Sequence, residues 1–160
     1  MNLREGQADD RPAVAAFLAQ RGATRVARRN QLVDPLEHPA LLAEDQRGGR
    51  LLGVLTYVVD RDRAQCEVLT LHAVQQWRGV GTALLQLVEQ AAQQGCGRLW
   101  LVTTNDNVDA LRFYQRRGFR LAALRRGAVD DGRARLKPEI PTVGDYGIPL
   151  RDELELDKPL

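Results

Sequence analysis

The chemistry legible in this chain starts from a short run, Gln76-Trp77-Arg78-Gly79-Val80-Gly81. Two glycines so close together let the backbone turn tightly and leave no Cβ atoms between it and a ligand. Behind them Val80, Ala83, Leu84, Leu87, Val88 and Ala91 recur at the period of a helix with one buried face. Ahead of them Cys66 to His72 is apolar and strand-like. A glycine turn at a helix start offers backbone N–H groups that lack an internal partner, at the positive end of the helix dipole. Such a turn cradles an anion, most often phosphate. No Lys-Ser or Lys-Thr follows, so this is not the nucleotide P-loop, and Leu84 stands where the dinucleotide fingerprint has its third glycine. Taken alone, the run also fits a turn that merely opens a core helix.

A second stretch lies downstream, Asn107-Val108-Asp109-Ala110-Leu111-Arg112-Phe113-Tyr114-Gln115-Arg116-Arg117-Gly118-Phe119. Together the two resemble the signature of the GNAT superfamily of N-acetyltransferases. Gln76, Gly79 and Gly81 match the family's Gln/Arg-x-x-Gly-x-Gly/Ala loop. The second stretch matches its Asn-x-x-Ala-x-x-Phe-Tyr-x-x-x-Gly-Phe segment at every fixed position. The motifs stand in the family's order, one helix and one strand apart, and cover the central third of the chain.

The resemblance implies an α/β fold of mixed type: a central, mostly antiparallel sheet with one splayed parallel strand pair and about four flanking helices. It implies acetyl-coenzyme A as co-substrate. The pantetheine arm would lie along Leu69, Thr70 and Leu71 and bind mostly through main chain. One N–H there would face the thioester oxygen, and a fixed donor at a developing oxyanion contributes roughly 3–4 kcal/mol. The pyrophosphate would sit on the amides of Arg78, Gly79, Val80, Gly81 and Thr82, with Gln76 and Trp77 of the same loop also at the cofactor. Asn107, Ala110, Phe113, Tyr114 and Arg116 would also border the cofactor, with Asn107 equally explained as a helix cap and Arg116 as a solvated surface arginine. Tyr114 is the candidate catalytic acid. A neutral phenol, with a pKa of about 10, can hydrogen-bond to or protonate a departing thiolate whose thiol has a pKa of about 8.5. The alternative is an aromatic ring that only packs.

The acceptor amine must be neutral to attack. For a lysine-like amine at pH 7 the deficit is about 4.6 kcal/mol, and for an α-amine about 1 kcal/mol. Glu67, on the strand before the loop, is the candidate base, with His72 second; a lone strand glutamate is more often simply exposed. The expected reaction is direct transfer to a primary amine of a small molecule or peptide in a ternary complex. The competing function is a non-catalytic acyl-coenzyme A sensor, which would keep the loop without turnover.

These groups need a scaffold to position them. Asn2 to Glu5 reads as a first strand. Asp9 and Asp10 offer caps to a helix carrying Pro12, Val14, Phe17 and Leu18 and ending near Gly22. The basic stretch through Gln31 reads as a second helix with few apolar anchors, in the region where the family selects its acceptor. Ala40 to Gln46 and Leu51 to Val59 form a hairpin across Gly48-Gly49. Leu99 to Thr103 is a short buried strand, parallel to Cys66 to His72 through a right-handed crossover. Asn105 and Asn107 open the next helix, Gly118 ends it, and Phe119 to Arg125 is a strand. Asp130 to Gly144 reads as an irregular excursion. Leu154 to Asp157 closes the chain as an edge strand beside the previous one and leaves dimerisation open.

Composition fits one domain over residues 1–160, with a net charge of +2, 44% hydrophobic content and 28% charged residues. That charge does not call for nucleic acid, and the arginine clusters at 21–29 and 112–126 read as solvated faces or a cofactor contact. Two cysteines, Cys66 and Cys96, give no disulfide framework, and no Cys/His spacing suggests a metal. Nothing resembles a signal peptide or a membrane span, so the expectation is a cytoplasmic enzyme.

Overall fold

A computed structural model describes residues 1–76 and 78–160. In chain order the first elements are β1 (Asn2–Glu5), α1 (Arg11–Ala19), β2 (Val26–Arg28), β3 (Gln31–Val33), β4 (Ala40–Glu44) and β5 (Leu51–Asp60). There follow β6 (Gln65–Ala73), α2 (Val80–Ala92), β7 (Arg98–Thr104), α3 (Val108–Gln115), β8 (Arg120–Arg125), α4 (Ala128–Arg135) and β9 (Glu153–Pro159). Seven strands form one mixed sheet in the order β1-β4-β5-β6-β7-β9-β8, and β2 pairs with β3 separately. One of the sheet's strand pairs is parallel.

Two compact units divide the chain: residues 1–25, 34–99 and 160, and residues 26–33 and 100–159. In the first, β1, β4, β5 and β6 pair antiparallel in succession. Residues opposite one another in such a ladder share a face. One face carries Leu42 and Val54, on which α1 lays Val14, Phe17 and Leu18. The other carries Ala43, Gly53 and Ala73, beneath the start of α2. Leu18, Leu42, Val54, Leu84 and Val88 are fully buried, each contributing about 1.5–3 kcal/mol. Asp10 does not cap α1 through its side chain. Its carboxylate takes the Gln7 N–H (2.7 Å) and both arms of the Arg4 guanidinium (2.7 Å each). Those bonds hold the Asp10 carboxyl down at about 2. Arg4 also reaches Glu44 at 2.5 Å, tying β1 to β4 and to the entry of α1.

In the second unit β8 pairs antiparallel with β9, with a register shift between Leu121 and Ala123. Three sequence expectations are corrected. The basic stretch is a hairpin rather than a helix: Arg29 (φ 49) and Asn30 (φ 61) both take the left-handed conformation of a two-residue hairpin turn. Arg29 bears a cost of about 1–2 kcal/mol for that. Its N–H donates to Glu153 Oε1 (3.0 Å), and its guanidinium lies over the Trp100 ring (5.2 Å), which offsets the strain. The excursion after Arg125 contains α4, whose acidic first turn (Asp130, Asp131) and basic last turn (Arg133, Arg135) suit the helix dipole. Finally, β9 is an interior strand of the sheet, and the edge beside it is β8.

Candidate active site

Within the first unit the strand leading to the glycine loop is not regular. β5 and β6 pair one to one from Gly53 with Ala73 to Thr56 with Thr70, and again from Tyr57 with Val68 to Asp60 with Gln65. Leu69 is the extra residue of a β-bulge, without an opposite number on β5. Leu69 and Thr70 are buried and Leu71 is half-buried. The Thr56 and Thr70 hydroxyls share a hydrogen bond of 2.6 Å that fixes the ladder at the bulge. The bulge leaves Leu69 alone without a counterpart, while Thr70 and Leu71 keep theirs on β5.

The bulge also rearranges side chains. Strict alternation would send Glu67 and His72 to opposite faces of β6. In the observed register Glu67 lies opposite Val58, Thr70 opposite Thr56 and His72 opposite Val54, so all three occupy the face that α1 covers. Glu67 is buried, 4% exposed. Burial pushes the His72 imidazole down to about 4, with the Arg21 charge adding to the effect, so His72 is neutral at pH 7. Cys66 points to the other face. Its thiol is fully buried and pushed up to about 12 by desolvation, then by Cys96 and Glu67. A thiol held protonated there is no nucleophile, which removes support for a covalent acetyl-cysteine route.

At the loop itself Gln76, Arg78 and Gly79 are exposed, and Trp77 lies outside the described residues. Gly79 adopts φ +78, a left-handed conformation that needs glycine, and a Cβ added there would meet nothing within 4 Å. The first internal bond of α2 is Ala83 N–H to Gly79 O, at 3.0 Å. No helical carbonyl can serve the N–H groups ahead of it. At this helix N-terminus Val80 is buried and Arg78 exposed.

The second unit carries the other motif on α3. Asn107 caps that helix, its Oδ1 accepting from Ala110 N–H (3.2 Å). Ala110 and Phe113 are half-buried and Arg116 is exposed. Tyr114 is 8% exposed and meets Phe113 and Phe119 edge to face, with ring centroids 5.0 and 5.3 Å away. Burial raises its phenol well above the ordinary range, against a weaker opposing pull from Arg117. Gly118 (φ +93) ends the helix and returns Phe119, whose N–H donates to Tyr114 O (3.2 Å).

Sequence inspection missed Asp106, a buried carboxylate just before α3. It accepts from Thr104 Oγ1 (2.5 Å) and from Asp145 N–H (3.0 Å), fastening the turn at Gly144 beside the helix start. It also missed the cluster in which Arg125 bonds Glu153 (3.1 Å) and Glu155 (3.0 Å). Apart from the Thr104 contact, the partners lie 28 to 39 residues apart in sequence and leave no local signature. Among the described residues no group of three or more His, Cys, Asp or Glu is placed to hold a metal.

The loop and the bulged strand belong to the first unit and the Asn107–Phe119 motif to the second. A family model for the acetyltransferase (GNAT) family matches residues 7–119. The chain belongs to that family and is an acyltransferase. It is 47% identical over 111 residues to the uncharacterized protein YdhI of Bacillus subtilis, covering 69% of this chain and 68% of that one. In fold it is similar to an IAA acetyltransferase from Bacillus cereus, with a TM-score of 0.74, 21% identity and 99% of both chains covered. It is also similar to a GNAT family acetyltransferase from Elizabethkingia anophelis determined with acetyl-CoA bound: TM-score 0.70, 18% identity, covering 99% of this chain and 97% of that one.

Proposed function

We propose that residues 1–160 act as a single acetyltransferase domain that moves an acetyl group from acetyl-coenzyme A to a primary amine, by direct attack in a ternary complex. The observation that carries this is the strand β6 running into the left-handed glycine turn at Gly79 that opens α2. In a member of this family that pairing gives main chain for a pantetheine arm and a helix N-terminus for a pyrophosphate. Leu69, Thr70 and Leu71 take the arm, with one N–H polarising the thioester carbonyl. The amides of residues 78–82 take the pyrophosphate, Arg78 adding positive charge.

In the reaction the amine nitrogen bonds to the carbonyl carbon and the carbon–sulfur bond breaks. The sulfur leaves with the electron pair. Glu67, brought to the face of His72 and Thr70 by the bulge, is the base that takes the proton from the attacking amine, directly or through water. His72 holds a proton too weakly at neutral pH to store one and serves as a neutral hydrogen-bonding partner. Tyr114 faces the leaving group. Because burial makes its phenol a weaker acid than usual, full proton transfer to a thiolate of pKa about 8.5 is uphill. Its role is a hydrogen bond that stabilises the developing thiolate. The acceptor is a small molecule or peptide amine, selected at least in part by the β2–β3 hairpin.

The test follows acetyl-coenzyme A consumption against polyamines, aminoglycosides, amino acids and peptides, with calorimetry for binding. Heat on binding together with acetylated amine on at least one acceptor is expected. Binding without turnover across the panel would return the sensor alternative, and no heat with any coenzyme A species would end the proposal.

A further inference from the structure

We infer that Gly53, on β5, is a positioning residue for the phosphate-gripping loop: its missing side chain sets how deeply the first turn of α2 seats on the sheet. The inference rests on the proposed coenzyme A site. Ala43, Gly53 and Ala73 lie side by side on β4, β5 and β6 and form a shallow trough on the α2 face. The next row on that face is Leu41, Leu55 and Leu71, all large. The helix start, through Val80 and Leu84, lies over the trough at Gly53.

The fit at Gly53 is tight. A Cβ there would stand 2.6 Å from Val80 Cγ1, 3.0 Å from Leu84 Cδ1 and 3.1 Å from the His72 carbonyl oxygen. Val80 is the first residue of α2 and follows Gly79 directly. A β-branched side chain in a helix has one strongly preferred rotamer, so Val80 cannot swing aside. The carbonyl of His72 belongs to the ladder and cannot move either without breaking it. A methyl group at this position therefore displaces the helix start, and with it the amides of Gly79 to Gly81. Gly53 itself has no left-handed φ, so its backbone accepts alanine without strain. The tightest contacts that favour glycine here are with α2, and the His72 carbonyl adds a lesser one.

The test is Gly53→Ala, with coenzyme A affinity by calorimetry, acetyl-coenzyme A kinetics and far-UV spectra as the folding control. Coenzyme A should bind at least tenfold more weakly, and KM for acetyl-coenzyme A should rise by a similar factor while kcat stays within about twofold. Pantetheine, which lacks the pyrophosphate, should bind wild type and variant alike. Adding Val80→Ala to the variant returns the lost room and should recover most of the affinity. If Gly53→Ala alone does not fold, the double variant carries the test, and it should fold and bind coenzyme A. Unchanged affinity in folded Gly53→Ala, equal losses for pantetheine and coenzyme A, or a folded double variant that fails to recover binding would each overturn the inference. Wild-type protein that gives no heat with coenzyme A would instead remove the proposed function beneath it, and the inference with it.

Discussion

His72 makes this protein sensitive to mild acid in a calculable way. Its imidazole is held at about 4 in the folded chain, against an ordinary 6.5, by loss of solvent first and the Arg21 charge second. The folded value lies below the unfolded one. The unfolded chain therefore takes up the proton first as pH falls, and stability drains away. The contribution is complete above pH 6.5 and is lost as pH falls toward 4. One pKa unit corresponds to 1.36 kcal/mol, so the full interval is worth at most about 3 kcal/mol, and the part between pH 6.5 and 5 about 2 kcal/mol. Against a typical domain stability of about 5–15 kcal/mol that is a large share.

The assay is urea unfolding at half-unit steps from pH 7.5 to 4.5, for wild type and His72→Gln. Carboxylates titrate in the lower part of this window in both proteins and cancel in the difference. Wild-type stability should fall relative to the variant by about 2 kcal/mol between pH 6.5 and 5. Parallel curves across that interval would show that His72 titrates alike in both states, and the assigned burial of the β6 face would be wrong. Arg21→Gln should shrink the difference without abolishing it, because burial is the larger cause.

Tyr114→Phe keeps both edge-to-face ring contacts and removes only the hydroxyl. It should lower kcat by at least about tenfold, equivalent to about 1.4 kcal/mol of transition-state stabilisation, with coenzyme A affinity changed by less than threefold. An unchanged kcat in stopped assays would withdraw the leaving-group role. Gly144→Ala would drive a methyl group into the Asp106 carboxylate, which holds Asp145 N–H and Thr104 Oγ1. Overpacking plus a loosened buried carboxylate should cost about 2–4 kcal/mol in chemical unfolding; a loss below about 0.5 kcal/mol would mean the turn is held by something else.

What could be seen in the sequence was what is written locally. The glycine turn, the amphipathic run of α2 and the Gly118–Phe119 helix end are set by residues within a few positions, and all stand where expected. The β2–β3 hairpin escaped notice because its turn uses Arg29 and Asn30 where a two-residue turn usually advertises glycine. Its strain is relieved by Glu153, more than a hundred residues away. Helix α4 was hidden by Gly132 in its middle and by a buried face of only Val129 and Gly132. The place of β9 inside the sheet depends on strand pairing across the whole chain, which periodicity does not encode.

The bulge shows how one extra residue can couple these levels. Leu69 interrupts the β5–β6 ladder, and its neighbours on either side keep their pairing. A single insertion therefore does two jobs. It leaves Leu69 without an opposite number on β5, and it reverses the facing of every β6 residue before it relative to every residue after it. Without it Cys66 and Val68 would share the face of His72, and Glu67 would face α2. With it a carboxylate joins Thr70 and His72, while a thiol held near 12 is turned away. In the proposed reaction the same irregularity would aim the base, Glu67, at the face that His72 and Thr70 share.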